Sequence, residues 1–506
     1  MKIRLNIYTI HLKFVHLKIA FGVQRCALGV TRYALGVQRW ALSLAIALTI
    51  SGPANAQSAI NENGPLQHLL GSKELESAHV GIYIYDDSSK KIIADYQSDK
   101  YFVPASNTKL FSLYAGMKYL GDSLEGLAYL SNDTSILIWP TGDPSLLHPD
   151  FQSQPVIDFL KKTNKKIYFI DGGWKETPLG PGWSWDDYND DYSVERSQFP
   201  LYGNFIRWTQ QKSTTRSNPA FEASATVFSS PEIAWKVRFS PDSLPRTFLV
   251  RRAIDSNVFN IRLGNENEIQ QQDVPFITNN LGAAIDLLPD TIGKPVYISN
   301  HWVNMNFYKN SPNSIQNLPK TGRPVWTEFA PPKPVYSRPV DSVFIPMMYR
   351  SDNFFAEQTL LMVSNQMLGY MKDDSIINRL LNAALSDLPQ KPSWVDGSGL
   401  SRYNLFTPQD FVTLLIKFKN EFGMDRMKKI LPTGGTGTLK NSYRADSGYV
   451  FAKTGSMTGV ICISGYIYTT KKHLLEFSIL VNNENGGGSA IRHEVENYVE
   501  YLRRNN

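Results

Sequence analysis

The stretch "PASNTKLFSLYAG", Pro104–Gly116, sets Ser106 and Lys109 three residues apart, and Leu110, Leu113, Tyr114, Met117 and Leu120 follow at helical spacing. Pro104 just ahead of that run marks a helix start, so Ser106 falls in a first turn whose helix buries an apolar stripe. Residues i and i+3 share a helix face, which lays Lys109 over Ser106 as a candidate base over a candidate nucleophile. A serine in that place also suits a plain N-cap. Spacing alone does not choose, because "SSKK" at Ser88–Lys91 repeats it, and a chain of this length holds about two such matches by chance. Context separates the two pairs. "HVGIYIYDDSSKKIIADYQ" alternates Val80, Ile82 and Ile84 on one face, breaks at Asp86–Lys91 and resumes. That is a β-hairpin pattern, with Ser88 and Lys91 in a solvated turn.

Two more motifs extend the first. "RSDN" contains Ser351-Asp352-Asn353, and "AKTGS" contains Lys453-Thr454-Gly455-Ser456. Ser-x-x-Lys, Ser-x-Asn and Lys-Thr-Gly in this order form the motif set of penicillin-recognising serine enzymes. Second copies exist at Ser311-Pro312-Asn313 and Lys320-Thr321-Gly322, but they fall in a loop-rich segment. There, Arg323 and Pro324 follow Lys320 and cannot open a paired central strand. Lys453 instead leads into the apolar run Val460–Tyr468, where a strand edge can hold a substrate.

With these residues in place the chain resembles the low-molecular-mass class C penicillin-binding proteins, the D-alanyl-D-alanine carboxypeptidase/endopeptidase group. The resemblance runs from about Val80 to the C-terminus. It includes "PGWSWDD" (Pro181–Asp187), "DGSGLSRYN" (Asp396–Asn404), "GTGTLKN" (Gly435–Asn441) and a long insert between Lys109 and Ser351. It implies an α/β (α+β) class, a penicillin-recognising serine transpeptidase-like fold: an antiparallel sheet flanked by helices, with a large β-rich insertion.

The resemblance also implies acyl transfer on peptidoglycan stem peptides, at terminal D-Ala-D-Ala or at D-Ala-diaminopimelate crosslinks, with β-lactam antibiotics as acylating inhibitors. Ser106 is then the nucleophile and Lys109 its base. Lys109 must lose basicity to about pKa 7 or 8 for that role. Ser351 relays a proton to the leaving amine, and Asn353 orients Lys109 and the substrate amide. Backbone N–H groups of Ser106 and Ser456 form an oxyanion hole. Lys453 and Thr454, in one substrate-binding strand with Gly455 and Ser456, hold the carboxylate beside the scissile bond. Asp187 and Arg402 are candidate contacts for the rest of the stem peptide, or else structural salt bridges. No cofactor is implied.

A β-lactamase or esterase would carry the same three motifs without needing the insert, and a non-catalytic wall-binding protein would lack a motif residue. A metal site is disfavoured, since His68, His79, His148, His301, His473 and His493 show no short ligand spacing. A Gly-x-Ser-x-Gly elbow is absent.

The 506 residues are 42% hydrophobic and 19% charged, a globular composition long enough for two to four domains. The formal charge of +6 resides in the leader: residues 1–56 hold seven of the 52 basic residues and no acidic one. The rest carries 45 basic against 46 acidic residues, a near-neutral body that argues against nucleic-acid binding. "WALSLAIALTISGPANAQS" reads as a secretory signal, with an apolar run Ala41–Ile50 and an Ala54-Asn55-Ala56 cleavage site. The mature chain would start at Gln57 in the periplasm. The run is too short to span a bilayer, which leaves at most peripheral membrane contact through Arg25, Arg32 and Arg39. Three heptads, "GVQRCAL", "GVTRYAL" and "GVQRWAL", precede it, and a start at a valine codon near Val37 would remove most of them. Cleavage removes Cys26 and leaves Cys462 in an apolar run, as a core residue without a disulfide partner.

The expected organisation is a leader at 1–56, a transpeptidase-like domain in two parts at 57–125 and 336–506, and an inserted β-rich region at 126–335. The second part is expected to end in two long strands and an amphipathic helix.

Overall fold

The structure, a computed structural model, describes residues 64–212, 225–240, 247–266, 268–299, 332–485 and 487–506. The leader, its heptads and the second motif copies at Ser311 and Lys320 lie outside the described residues. Along the chain run α1 (Pro65–Leu70), β1 (His79–Asp86), β2 (Lys91–Tyr96) and α2 (Lys109–Tyr119). Next come β3 (Ser123–Ser131), β4 (Ser135–Pro140), α3 (Pro155–Lys162), β5 (Lys166–Ile170), β6 (Phe205–Lys212), β7 (Ala225–Ser230) and β8 (Val237–Phe239). They are followed by β9 (Leu249–Arg252), β10 (Phe259–Arg262), β11 (Gln270–Pro275), α4 (Gly282–Ile292), β12 (Val296–Ser299) and β13 (Lys333–Pro339). The last part holds α5 (Asp341–Tyr349), α6 (Asn353–Leu368), α7 (Asp373–Leu381), α8 (Pro408–Phe422), α9 (Met424–Ile430), β14 (Val450–Met457), β15 (Val460–Tyr468), β16 (Leu474–Asn482) and α10 (Gly488–Asn505).

The sheet that carries the motifs has the order β14-β15-β16-β1-β2, antiparallel throughout. Side chains alternate across a strand, and β15 shows why its sequence reads as one unbroken apolar run. Val460, Cys462 and Tyr466 join the core with α2, α6 and α8, while Ile461, Ile463 and Ile467 join the core with α10. The antiparallel sheet with helices on both faces is the architecture the motifs implied.

α2 is buried on every side rather than along one stripe, because Phe111, Ser112 and Ala115 are as enclosed as Leu110 and Leu113. Gly116 permits this: a Cβ there would come within 2.7 Å of Phe344 and Thr359, on α5 and α6.

The C-terminal run forms three strands, not the expected two. Thr458-Gly459 closes a two-residue hairpin between β14 and β15, with Gly459 at φ 76° and Met457 paired to Val460. Apolar residues on both sides of so short a turn made the two strands read as one.

The described residues of 123–339 form two three-stranded sheets and a mixed five-stranded one, ordered β12-β5-β4-β3-β13. The β4·β5 and β5·β12 pairings are parallel, so each requires a crossover connection. The chain supplies α3 and α4 for this. The sequence reading missed both, α3 because it has only 8 residues and α4 because Pro289 lies inside it, although Val156, Ile157 and Leu160 of α3 and Leu287, Leu288 and Ile292 of α4 are buried. Leu127, Ile138, Phe169, Ile206, Trp208 and Phe259 belong to a core cluster of this region.

Candidate active site

Three elements converge: the turn before α2, the N-terminus of α6 and the edge strand β14. Ser106 lies in a 3-10 turn, Ala105–Thr108, that runs directly into α2. Ala105 is held at φ 47°, a conformation costly for a residue with a Cβ. Its carbonyl packs on Gly399, where an added Cβ would lie 1.9 Å from that oxygen. The Ser88/Lys91 pair, by contrast, is exposed, with Ser88 in the β1/β2 turn and Lys91 opening β2 rather than lying in the turn as expected.

Lys109 is fully buried. Its Nζ donates to Ser106 Oγ at 2.9 Å, Asn353 Oδ1 at 2.5 Å and the Ser398 carbonyl at 2.8 Å. Asn353 opens α6, which Asp352 caps by accepting from Phe355 N, and its Nδ2 donates to the Tyr192 carbonyl at 2.9 Å. Both ends of the Asn353 amide are thereby fixed. Burial pushes Lys109 down to about 8, against the pull of Asp396, Glu357 and Asp352, which favour the ammonium.

Ser351 sits at φ 61°, between an arginine and an aspartate that pin it: Arg350 pairs with Asp150 at 2.5 Å and with Asp352 at 3.3 Å. Its Oγ accepts from Lys453 Nζ at 2.9 Å. Lys453 is also fully buried, and its other partner is the Thr454 carbonyl at 2.6 Å. Burial, then the Lys109 charge, push Lys453 well below the usual lysine range. Gly455 must be glycine, since a Cβ would lie 2.5 Å from the Pro104 carbonyl and 3.1 Å from Ser106 N. Its absence lets β14 lie against the nucleophile's turn. Ser456 Oγ accepts from Arg492 Nη2 of α10 at 3.3 Å.

Ser106, Ser351 and Ser456 stand between two cavities. One, of about 650 Å³, is lined by Asp187, Tyr192, Asn353 and Arg402 among others. The other, of about 350 Å³, runs past Thr454 to Thr438, Ser442 and Arg492. Asp187 and Arg402 thus share one cavity with Ser106, and among the described residues neither makes an ion pair within 4 Å. Arg402 Nη2 donates to the Thr458 carbonyl at 2.6 Å. Burial and the charges of Asp186 and Asp190 push the Asp187 carboxyl up.

The structure brings together every motif residue the sequence singled out, and adds residues it did not. Ser398 stood inside the quoted "DGSG" without a role. Its N–H donates to Glu357 at 2.7 Å, and Glu357 pairs with the buried Arg196 at 3.2 Å. Arg196 also pairs with Asp373 and Glu176, which ties residues of the insert to α6, α7 and the Lys109 pocket. No local pattern in "SVERSQFP" announces this arginine. Among the described residues no group of three or more His, Cys, Asp or Glu is placed to hold a metal ion. Cys462 is buried, with Sγ 3.6 Å from the Val103 carbonyl.

Comparison with known proteins agrees with this geometry. The D-Ala-D-Ala carboxypeptidase 3 (S13) family matches residues 63–262 and 333–503, and the chain belongs to that family. It is 24% identical over 455 residues to the D-alanyl-D-alanine carboxypeptidase DacB of Haemophilus influenzae, covering 83% of this chain and 88% of that one. It is likewise 24% identical over 452 residues to a D-alanyl-D-alanine carboxypeptidase of an Actinomadura species, covering 83% and 80% of the two chains. The crystal structure of penicillin-binding protein 4 from H. influenzae superposes with a TM-score of 0.66 at 20% identity, over 87% of this chain and 99% of that one. The low-molecular-mass class C resemblance drawn from the motifs therefore holds, and so does the fold.

Proposed function

We propose that the chain is a serine D,D-peptidase of peptidoglycan, cleaving terminal D-Ala-D-Ala and D-Ala-diaminopimelate crosslinks through an acyl-enzyme. The observation that carries this reading is Lys109 Nζ, 2.9 Å from Ser106 Oγ and brought to about 8 by burial. In its neutral form Lys109 takes the hydroxyl proton while Ser106 Oγ bonds to the carbonyl carbon of the penultimate D-Ala. The oxyanion forms against the N–H groups of Ser106 and Ser456. As the intermediate collapses the C–N bond breaks, and the proton that Lys109 took is relayed to the leaving amine through Ser351, oriented by Lys453, which leaves Lys109 neutral again. Water then cleaves the ester, with Lys109 again as the base. Thr454 and Ser456 of β14 line the substrate, and Asp187 with Arg402 receives the rest of the stem peptide in the larger cavity.

Intact-protein mass spectrometry after incubation with benzylpenicillin, followed by peptide mapping, tests this. A stable penicilloyl adduct on Ser106 is the expected result. Rapid loss of the adduct would mark a β-lactamase, and absence of any adduct a non-catalytic protein.

We read 57–125 and 336–506 as one domain interrupted by 126–335, a division supported by β1 pairing with β16. Export to the periplasm rests on the Ala41–Ala56 pattern alone. No helix among the described residues is long and apolar enough to cross a membrane. N-terminal sequencing of secreted protein should begin at Gln57, and retention of any heptad would overturn the processing site.

A further inference from the structure

The smaller cavity has a charge pattern that the mechanism above does not use. Among the described residues Arg492 is the one charged residue in its lining, which also holds the hydroxyls of Thr438, Ser442, Thr454 and Ser456. Arg492 is exposed, and among the described residues it has no carboxylate within 4 Å. The larger cavity carries both signs, through Asp187 and Arg402. A space lined by donors and one free cation suits an anion, whereas a space with both signs suits a zwitterion. Lys453 does not face either cavity: its ammonium is fully buried and engaged by Ser351 and the Thr454 carbonyl.

We propose that the smaller cavity is the leaving-group subsite and that Arg492, with the hydroxyls of Thr454 and Ser456, grips the carboxylate on the carbon next to the scissile nitrogen. The proposal rests on the D,D-peptidase reading and deepens it. Its geometric basis is Arg492 Nη2 lying 3.3 Å from Ser456 Oγ, on the same strand segment whose backbone faces Ser106. A guanidinium can meet a carboxylate with two parallel hydrogen bonds, which fixes the orientation of the leaving group as well as its charge. Lys453 then acts on the amine through Ser351, and Arg492 acts on the carboxylate. The residue is thus specificity-determining, and it lies on the C-terminal helix, outside all three motifs.

The test compares three substrates with one acyl group: a D-alanyl-D-alanine peptide, the same peptide as its C-terminal carboxamide, and an uncharged ester. Arg492→Ala should lower kcat/KM for the carboxylate substrate about 10- to 100-fold while leaving the carboxamide and the ester within about two-fold. Arg492→Lys should recover part of the preference, because it restores charge without the fork. Equal losses on all three substrates, or no loss on any, would overturn the assignment. Ester turnover reports whether Ser106 and Lys109 still work in each variant. A wild-type protein that forms no acyl-enzyme with the ester would instead sink the peptidase reading, and the subsite with it.

Discussion

Lys109 and Lys453 are both cut off from solvent, yet the pockets that hold them are built differently. Around Lys109 the chain gathers three acceptors and the charges of Asp396, Glu357 and Asp352. Lys453 has two acceptors, and the charge that acts on its amine is another cation, Lys109. Burial lowers both amines. The carboxylates offset part of this and leave Lys109 at about 8, where a base is useful at neutral pH, whereas at Lys453 the neighbouring Lys109 charge adds to burial. On the mechanism proposed above, the same residue type serves as base in one pocket and as orienter of a hydroxyl in the other, and the difference lies in the neighbours, not in the lysines.

The largest effect expected on this comparison comes from removing the hydroxyl that Lys109 faces. Ser106→Ala should abolish penicillin labelling and lower peptide cleavage by a factor on the order of 10⁴ or more, with the far-UV spectrum unchanged. Labelling that moved to Ser88 would break the assignment.

Next come the lysines. Lys109→Met should lower ester and peptide turnover alike, by roughly 10³-fold or more, since both need the base. Lys453→Met should cost about 10²-fold on carboxylate and uncharged substrates alike, because it acts through Ser351. A Lys453 loss confined to carboxylate substrates would place its charge on the substrate directly and erase the contrast with Arg492.

A smaller effect concerns pH. Acylation should rise with pH through about 8 as Lys109 loses its proton. Asp396→Asn removes the largest charge holding that proton in place, so the ascending limb should move to lower pH, by about 0.5 to 1 unit. A shift to higher pH would mean that Asp396 acts through its hydrogen bonds to Gly399 and Ser401 instead.

The smallest effect is on stability. Lys109 titrates near 8 in the folded chain and near 10.5 in the unfolded one, so between those values the unfolded state holds more protons and stability rises with pH. Denaturant titrations should show wild type gaining up to roughly 3 kcal/mol over that window relative to Lys109→Met. A flat difference would show that burial does not lower the amine.

Much of this protein was legible before any coordinates. The β1/β2 hairpin follows from period-two alternation around a polar break, and α2 follows from apolar residues at helical spacing behind Pro104. Both are short-range patterns that the backbone imposes on any sequence carrying them. The three motifs, their order and the exclusion of Ser88/Lys91 came from the same local reading. Other features depended on distance in space. Arg196 meets Glu357 across 161 positions, Ser398 reaches Lys109 across 289, and Arg492 meets Ser456 across 36. No periodicity links such residues. The Thr458-Gly459 turn was hidden by its apolar flanks, α3 by its brevity and α4 by the proline inside it. The sequence by itself determined which side chains carry the chemistry and which elements present them. What needed the tertiary structure was how basic Lys109 is, because that is set by burial and by the charges of Asp396, Glu357 and Asp352, brought in from distant parts of the chain.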